Sequence, residues 1–137
     1  MLSSMALKVK VINKGVAKGS LLMSRQPISF FGGVDPLTGM VVEKNHPLEG
    51  VGLRSRILAV PSSKGSTVGS YVVYSLAKRG VAPSGIILGR GDNIIIPGAI
   101  LGGIPVVIVD MQKLLSLFKN GETVILDGRR GRILRPM

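Results

Sequence analysis

The residues best suited to chemistry lie in one serine-rich turn, Ser62 to Thr67. An apolar, strand-like run ends at Val60 just before it, and apolar residues then recur at helical spacing as far as Leu76. Gly80 is placed to end that helix. The pattern predicts a strand, a sharp turn and a helix that begins at Thr67, with Ser66 at the helix N-terminus.

A helix N-terminus favours negative charge, because its first backbone N–H groups are free and the helix dipole is positive there. That charge could belong to a bound phosphate or carboxylate, or to a deprotonated side chain. Ser66 is therefore a candidate reactive hydroxyl, with Gly65 shaping the turn before it. The alternative is that Ser66 simply caps the helix, since serine is a preferred N-cap residue.

The remaining pattern predicts one α/β domain that spans residues 1–137, with residues 1–6 as a disordered N-terminal extension. A mixed sheet covered on one side by helices is expected, because strands outnumber helices and alternate with them in the middle of the chain. Either Asp92 or Asn93 is predicted to cap the second helix. The predicted strands are 7–12, 19–23, 57–60, 85–88, 105–109, 123–126 and 132–134, and the predicted helices are 67–79, 93–102 and 111–118.

Composition narrows the classes of function. Cysteine is absent, so this chain has no thiolate with which to hold a metal or a cluster. The net charge of +11 indicates an acidic partner, an anionic substrate or nucleic acid. Nucleic acid is less favoured, because aromatic residues are few and Phe30, Phe31, Tyr71 and Tyr74 are predicted to pack in the core.

No membrane partner is expected. The longest charge-free stretch, 94–109, is shorter than the roughly 20 residues that a membrane span needs. The first ten residues do not resemble an export signal, and we expect a cytoplasmic protein.

A long region without regular periodicity, 26–52, is the second candidate for function, because such loops are usually functional or disordered. His46 could form a structural or interface hydrogen bond or transfer a proton, but a single histidine cannot build a metal site. Four residues of this region could form an anion-binding backbone nest or an interface loop, or simply turns: Ser29, Gly32, Gly33 and Asp35.

The same region carries a resemblance to a known family. From about Gly15 to Val109 the sequence resembles the small subunits of the aconitase X family. The segments that carry the resemblance are Pro27-Ile28-Ser29-Phe30-Phe31-Gly32-Gly33-Val34-Asp35-Pro36-Leu37-Thr38-Gly39, Asn45-His46-Pro47-Leu48-Glu49-Gly50, Lys64-Gly65-Ser66-Thr67-Val68-Gly69-Ser70-Tyr71 and Gly80-Val81-Ala82-Pro83.

The resemblance implies a swivelling β/β/α domain that closes over a 4Fe-4S cluster carried by a separate large subunit, in a heterodimer. It implies a hydro-lyase that dehydrates (R)-5-phosphomevalonate to trans-anhydromevalonate 5-phosphate in the archaeal mevalonate pathway. Ser66 matches the position of the family's proton-accepting serine. Val68 stands where aconitase has a carboxylate-binding arginine, so Arg25 or a residue of the large subunit is expected to bind the substrate carboxylate instead.

A serine acting as a base needs more than its place at a helix end. The helix dipole supplies at most about 2 kcal/mol, whereas a cation about 4 Å away supplies roughly 4 kcal/mol at an effective dielectric constant near 20. Lys64 is the local candidate for that cation, and its alternative role is a solvated turn lysine. Lys64, Gly65 and Thr67 are thus the predicted supporting or substrate-binding residues.

Two other functions remain open. The chain could belong to an aconitase X dehydratase for another hydroxy acid, such as cis-3-hydroxyproline. It could also be a noncatalytic basic module that binds RNA or scaffolds a complex.

Overall fold

An eight-stranded mixed sheet organises residues 6–137, the part of the chain that the computed structural model describes. The strand order across the sheet is β1-β8-β7-β3-β4-β5-β6-β2. The elements are β1 (Ala6–Lys8), β2 (Lys10–Asn13), β3 (Val16–Met23), β4 (Ile57–Val60), α1 (Gly69–Arg79), β5 (Gly85–Leu88), α2 (Ile95–Gly102), β6 (Val106–Ile108), α3 (Met111–Leu117), β7 (Thr123–Asp127) and β8 (Arg132–Leu134).

The centre of the sheet is parallel, from β3 through β4 and β5 to β6. Every residue of β4 and β5 is buried, as expected for short apolar strands that are covered on both faces. α1 connects β4 to β5, and α2 connects β5 to β6. The loops that leave β3, β4 and β5 therefore begin at the same edge of the sheet.

Helices cover both faces of the parallel strands, so the prediction of helices on one side was wrong. α1 and α2 pack on the face that includes Leu58 and Val60. α3 packs through Leu114 on the opposite face, with Ile57 and Ala59. The alternation of side chains along β4 sends neighbouring residues into two separate cores.

The first predicted strand, 7–12, is two strands at opposite edges of the sheet. β1 pairs with β8, whereas β2 pairs with β6. Only Val9 separates them, so the sheet curls until its two edges lie side by side. The last two predicted strands are present, and β7 and β8 pair as a hairpin across the turn that follows Asp127.

The other element bounds differ by a few residues. α1 begins at Gly69 rather than Thr67, and it ends at Gly80 in the left-handed conformation, as predicted. Of the predicted N-terminal extension, only Ala6 is described, and it pairs with Leu134 in the sheet; the other five residues lie outside the described part. Within residues 6–137, no helix has the length and apolar character needed to cross a membrane.

The long loop between β3 and β4 is folded against the domain. Its buried hydrophobic residues are Ile28, Phe30, Val34, Val41, Leu48 and Leu53. The prediction that four aromatic residues pack in the core holds for Phe30 but fails for Phe31 and Tyr71, which are exposed. These apolar side chains therefore lie on the surface near the start of α1.

Candidate active site

The serine turn lies where β4 ends, and the long loop holds it in place. Ile28 pairs with Ser63 in a short parallel bridge. The Ile28 N–H donates to the Ser62 carbonyl at 3.2 Å, and the Lys64 N–H donates to the Ile28 carbonyl at 3.0 Å. The loop and the turn therefore form one structural unit, although they are distant in sequence.

Ser66 is exposed, so its hydroxyl can be reached from solvent. Its Oγ accepts a hydrogen bond of 3.2 Å from the Val68 N–H. Val68 is the cap residue of α1, and no side-chain hydrogen bond caps the helix there. Ser66 thus lies two residues before the cap position and makes a local bond in the turn, so the expected N-cap role was wrong in its position.

Gly65 gives the turn its shape. Its φ angle is +90°, a conformation that L side chains rarely adopt, and an added Cβ would lie 3.0 Å from the Ser29 Oγ. Thr67 is exposed, and its carbonyl accepts a hydrogen bond from the Ser70 N–H at 3.1 Å. The predicted Gly65, Ser66 and Thr67 therefore do form one exposed turn.

Lys64 is paired with an acid that the sequence did not reveal. Its Nζ lies 2.7 Å from the Glu43 Oε2, and the Lys64 side chain remains 50% exposed. The other carboxylate oxygen of Glu43 accepts the Ser29 N–H at 2.9 Å. A role for Lys64 beside Ser66 stays a prediction, and its charge is partly offset by Glu43 in this structure.

The surroundings of Glu43 favour its charged form. Burial raises the pKa of the Glu43 carboxyl, but the hydrogen bonds from Lys64 and from the Ser29 N–H together outweigh burial and lower it below the ordinary value. Glu43 is therefore an anion throughout the neutral range. It connects the long loop to the serine turn.

The predicted loop residues mostly form turns. Asp35 accepts the Leu37 N–H through its Oδ1, and the Gly33 carbonyl accepts the N–H groups of Val42 and Glu43. Ser29 already donates its N–H to Glu43, so that group is not free to bind an anion. Gly32 is exposed with a φ of +82°.

Arg25 lies at the same sheet edge as the serine turn. It is exposed and follows Ser24, whose N–H donates to the Ala59 carbonyl at 3.0 Å. Because β3 and β4 are parallel neighbours, Arg25 and Ser62 both follow the carboxyl end of a strand. Carboxylate binding by Arg25 stays a prediction.

His46 has a structural environment. It is 5% exposed, its Nδ1 accepts the Leu48 N–H at 3.0 Å, and its Nε2 lies 3.0 Å from the Pro27 carbonyl. Since Nδ1 is an acceptor, Nε2 carries the proton and donates to Pro27. Both ring nitrogens are thus used inside the loop, which favours the hydrogen-bonding role over proton transfer.

A second polar cluster lies beside the serine turn, where β5 ends. The Asp92 Oδ1 accepts the N–H groups of Ile94 and Ile95, so Asp92 bonds the start of α2, although the cap residue is Ile94 rather than the predicted Asp92 or Asn93. Its Oδ2 accepts both the N–H and the hydroxyl of Ser63, at 2.6 and 2.7 Å. Burial raises the pKa of Asp92, yet these hydrogen bonds together lower it below the ordinary value.

Arg90 completes this cluster. Its Nη2 donates to the Ser62 Oγ at 3.1 Å, and Arg90, Ser62, Ser63 and Asp92 line a cleft of about 530 Å³. Sequence reasoning missed Arg90 and the Ser63–Asp92 contact. One signal could have indicated them: the segments 61–67 and 89–92 each follow a predicted strand, and the carboxyl ends of neighbouring parallel strands lie side by side.

The residues of this chain do not fit an iron-sulfur cluster. The sequence has no cysteine, and within the described residues no group of three histidine or acidic side chains could hold a metal ion. Such a group would need ligands from another chain.

The chain is thus a small α/β domain with a mixed sheet, helices on both faces and an exposed serine turn at the end of a parallel strand. The profile of the aconitase X swivel domain matches residues 6–135, and the chain belongs to that family. The resemblance and the fold class predicted from the sequence are thereby confirmed.

Curated relatives and a solved structure agree with this assignment. The phosphomevalonate dehydratase small subunit of Pyrococcus furiosus is 48% identical over 130 residues, which cover 94% of each chain. That of Methanothermobacter thermautotrophicus is 43% identical over 129 residues, which cover 94% of this chain and 98% of the relative. The crystal structure of holo-form aconitase X from Thermococcus kodakaraensis is 41% identical with a TM-score of 0.89, and the match covers 98% of this chain and 100% of that one.

Proposed function

We propose that this chain is the small subunit of a heteromeric hydro-lyase that dehydrates (R)-5-phosphomevalonate to trans-anhydromevalonate 5-phosphate in the archaeal mevalonate pathway. The relatives that carry this name in Pyrococcus furiosus and Methanothermobacter thermautotrophicus match it over nearly their whole length. The chain would be active only together with a large subunit, in the cytoplasm.

Ser66 is the proposed proton acceptor. The observation that carries this assignment is the exposed Ser66 hydroxyl on a glycine turn at the start of α1, where none of the acidic side chains in residues 6–137 lies in the first helical turn. Dehydration beside a carboxylate removes a weakly acidic proton, so the base has to be activated by its surroundings. The positive end of α1 favours a negatively charged oxygen, and Lys64, two residues before Ser66 in the turn, would add a positive charge if its ammonium approaches the hydroxyl.

Two features support a large subunit as the partner: the lack of cysteine cluster ligands in this chain and its exposed apolar side chains. Since its residues do not fit a 4Fe-4S cluster, the cluster would be held by the large subunit. Tyr71 and Leu101 are 74% and 73% exposed, and both line a groove between α1 and α2 beside the serine turn. Exposed aromatic and aliphatic side chains of this kind are typical of a binding surface for another protein.

The substrate would be a small phosphorylated hydroxy acid. The net charge of +11 favours an anionic ligand, and Arg25 lies at the sheet edge where the serine turn begins. Arg25 is the proposed carboxylate-binding residue of this chain. Lys64, Gly65 and Thr67 would support or contact the substrate from the turn.

The test is a reconstitution with the large subunit encoded in the same genome. We expect turnover of (R)-5-phosphomevalonate, and little turnover of mevalonate without its phosphate or of cis-3-hydroxyproline. Preferred turnover of cis-3-hydroxyproline would assign the complex to a different aconitase X dehydratase. Tight RNA binding that weakens steeply with salt, with no dehydration of any acid, would instead support the noncatalytic basic module.

A further inference from the structure

Glu43 is the one acid that joins the long loop to the serine turn among the side-chain contacts of the described residues. Its Oε1 accepts the Ser29 N–H at 2.9 Å, and its Oε2 lies 2.7 Å from the Lys64 Nζ. The Glu43 side chain is 16% exposed, whereas Lys64 is half exposed. The carboxylate is thus largely withdrawn from solvent and satisfied by two donors.

This contact differs from an ordinary surface ion pair. Exposed ion pairs contribute little, because solvent screens them and both side chains lose freedom. Here the loop is built closely around the carboxylate: a Cβ on Gly33 would lie 3.1 Å from the Glu43 Oε1 and 2.1 Å from the Ser29 carbonyl oxygen. Glycine at this position lets the loop approach the acid.

Lys64 is held at both of its ends by the same loop. Its backbone N–H donates to the Ile28 carbonyl at 3.0 Å, and its ammonium pairs with Glu43. At the next residue, Gly65, an added Cβ would lie 3.0 Å from the Ser29 Oγ, so the turn passes close to the loop there. A change at Glu43 would therefore reach Ser66 through Lys64 and Gly65.

We propose that Glu43 is a positioning residue for the reaction, a role that rests on the proposed function. It fixes the Lys64 ammonium against the loop, and it thereby sets both the conformation of the Ser66 turn and the positive potential at the Ser66 hydroxyl. The charged and titratable groups that act on the Glu43 carboxylate are Lys64 and His46. Glu43 itself does not touch the reacting atoms.

The test compares Glu43→Gln, Lys64→Gln and the double variant in the reconstituted complex. Glutamine keeps an acceptor for the Ser29 N–H but loses the ion pair. We expect kcat to fall about tenfold in Glu43→Gln with KM changed much less, because a displaced turn weakens catalysis more than binding. In Glu43→Gln, the ascending limb of the pH profile of kcat should shift to lower pH, because a Lys64 ammonium without its counter-ion stabilises the deprotonated serine more strongly. In Lys64→Gln, the same limb should shift to higher pH, because the stabilising cation is lost.

The double variant should behave like Lys64→Gln alone, because Glu43 acts on Ser66 through the Lys64 ammonium and has nothing to act through once that ammonium is removed. Glu49→Gln is the matched control: Glu49 lies in the same loop, is exposed, and accepts the Asn45 N–H at 3.0 Å. It should leave kcat and the pH profile unchanged. Additive effects of the two single changes, or an unshifted pH profile in Glu43→Gln, would overturn the proposal.

A second measurement separates this proposal from the assignment of Ser66. Amide hydrogen exchange at Lys64 and Val68, whose N–H groups donate to the Ile28 carbonyl and the Ser66 Oγ, should be about tenfold faster in full-length Glu43→Gln than in the original chain or Glu49→Gln. If Ser66→Ala stays active, the assignment of Ser66 as the proton acceptor fails, yet the exchange rates still decide whether Glu43 positions the turn. If Glu43→Gln does not fold, Lys64→Gln removes the same ion pair from its exposed side, and unchanged exchange there refutes the positioning role.

Discussion

The two crossovers of the parallel sheet differ at the point where each helix begins. Before α2, the Asp92 carboxylate accepts four hydrogen bonds and links the helix to Ser63. Before α1, the equivalent position is Ser66, whose neutral hydroxyl makes a single local bond to the Val68 N–H. The start of α2 is bonded to the half-buried Asp92 carboxylate, and we call this connection the closed crossover. The start of α1 is exposed to solvent at Ser66, and we call this connection the open crossover.

The difference indicates where an anion can form. A resident carboxylate already uses the positive end of α2, so a second negative charge there would be repelled. The end of α1 carries no such acid, and a negatively charged serine or substrate group would be stabilised. The hydrogen bonds of Asp92 fix the closed crossover to the serine turn. In the open crossover, the Ser66 hydroxyl remains accessible to a substrate.

Removing the acid from the closed crossover should have the largest effect on stability. Asp92→Ala leaves the N–H groups of Ile94 and Ile95 and the Ser63 hydroxyl without their acceptor, and we expect a loss of about 3 kcal/mol in the free energy of unfolding. Asp110→Ala is the control, because Asp110 caps α3 from an exposed position, and it should cost about 1 kcal/mol. Equal losses in urea unfolding would contradict the contrast.

The open crossover should be the side that meets the partner. Tyr71→Glu places a charge on the exposed face of α1. We expect the binding free energy for the large subunit to weaken by about 2 kcal/mol, so the dissociation constant should rise roughly thirtyfold. Leu37→Glu is the control, since Leu37 is 62% exposed but lies in the part of the long loop that contacts Val81, beyond the other end of α1. Calorimetric titration with both variants would show the difference; equal affinities would place the interface elsewhere.

A glycine in each crossover allows a finer comparison. Gly65→Ala puts a side chain where φ is +90° and Ser29 is close, and we expect a loss of about 1–2 kcal/mol in the free energy of unfolding. Gly91→Ala, in the closed crossover, meets nothing within 4 Å, so it should change stability by less than about 0.5 kcal/mol. Thermal unfolding measures both; a costlier Gly91→Ala would mean that the turn conformations have been misassigned.

Lowering the pH should reduce the stabilising contributions of both Glu43 and Asp92 to the free energy of unfolding. This is the smallest effect that we expect. The pKa values of Glu43 and Asp92 lie below their ordinary values of 4.5 and 3.8 in the folded protein. Their stabilising contribution is therefore complete above those ordinary values and is lost as the pH falls through the lower folded values. Asp92→Asn and Glu43→Gln should each flatten the acid side of the stability profile; an unchanged slope in urea melts would contradict the hydrogen bonding described for these acids.

The sequence predicted much of this arrangement through local signals. The apolar run to Val60, the helical spacing after it and Gly80 located β4, the turn and α1, while the acid at Asp92 marked the start of α2. Each of these features depends on residues close together in the chain. Local signals therefore gave the elements and the turn that carries Ser66.

The parts that sequence reasoning missed depend on contacts between distant residues. The pairing of Glu43 with Lys64 and of Ser63 with Asp92 follows from how the long loop and the two crossovers meet at one sheet edge. The split of the first strand at Val9 likewise depends on the curl of the sheet. No periodicity within one segment encodes such contacts.

The most direct test of the account is the turnover of Ser66→Ala in the reconstituted complex, measured together with its affinity for the large subunit. Because the hydroxyl is exposed and makes one local bond, association and stability should be retained. The rate of dehydration should fall by about a thousandfold or more, as expected when a general base is removed. Turnover within a few fold of the original complex, with the subunits still associated, would contradict the assignment of Ser66 as the proton acceptor.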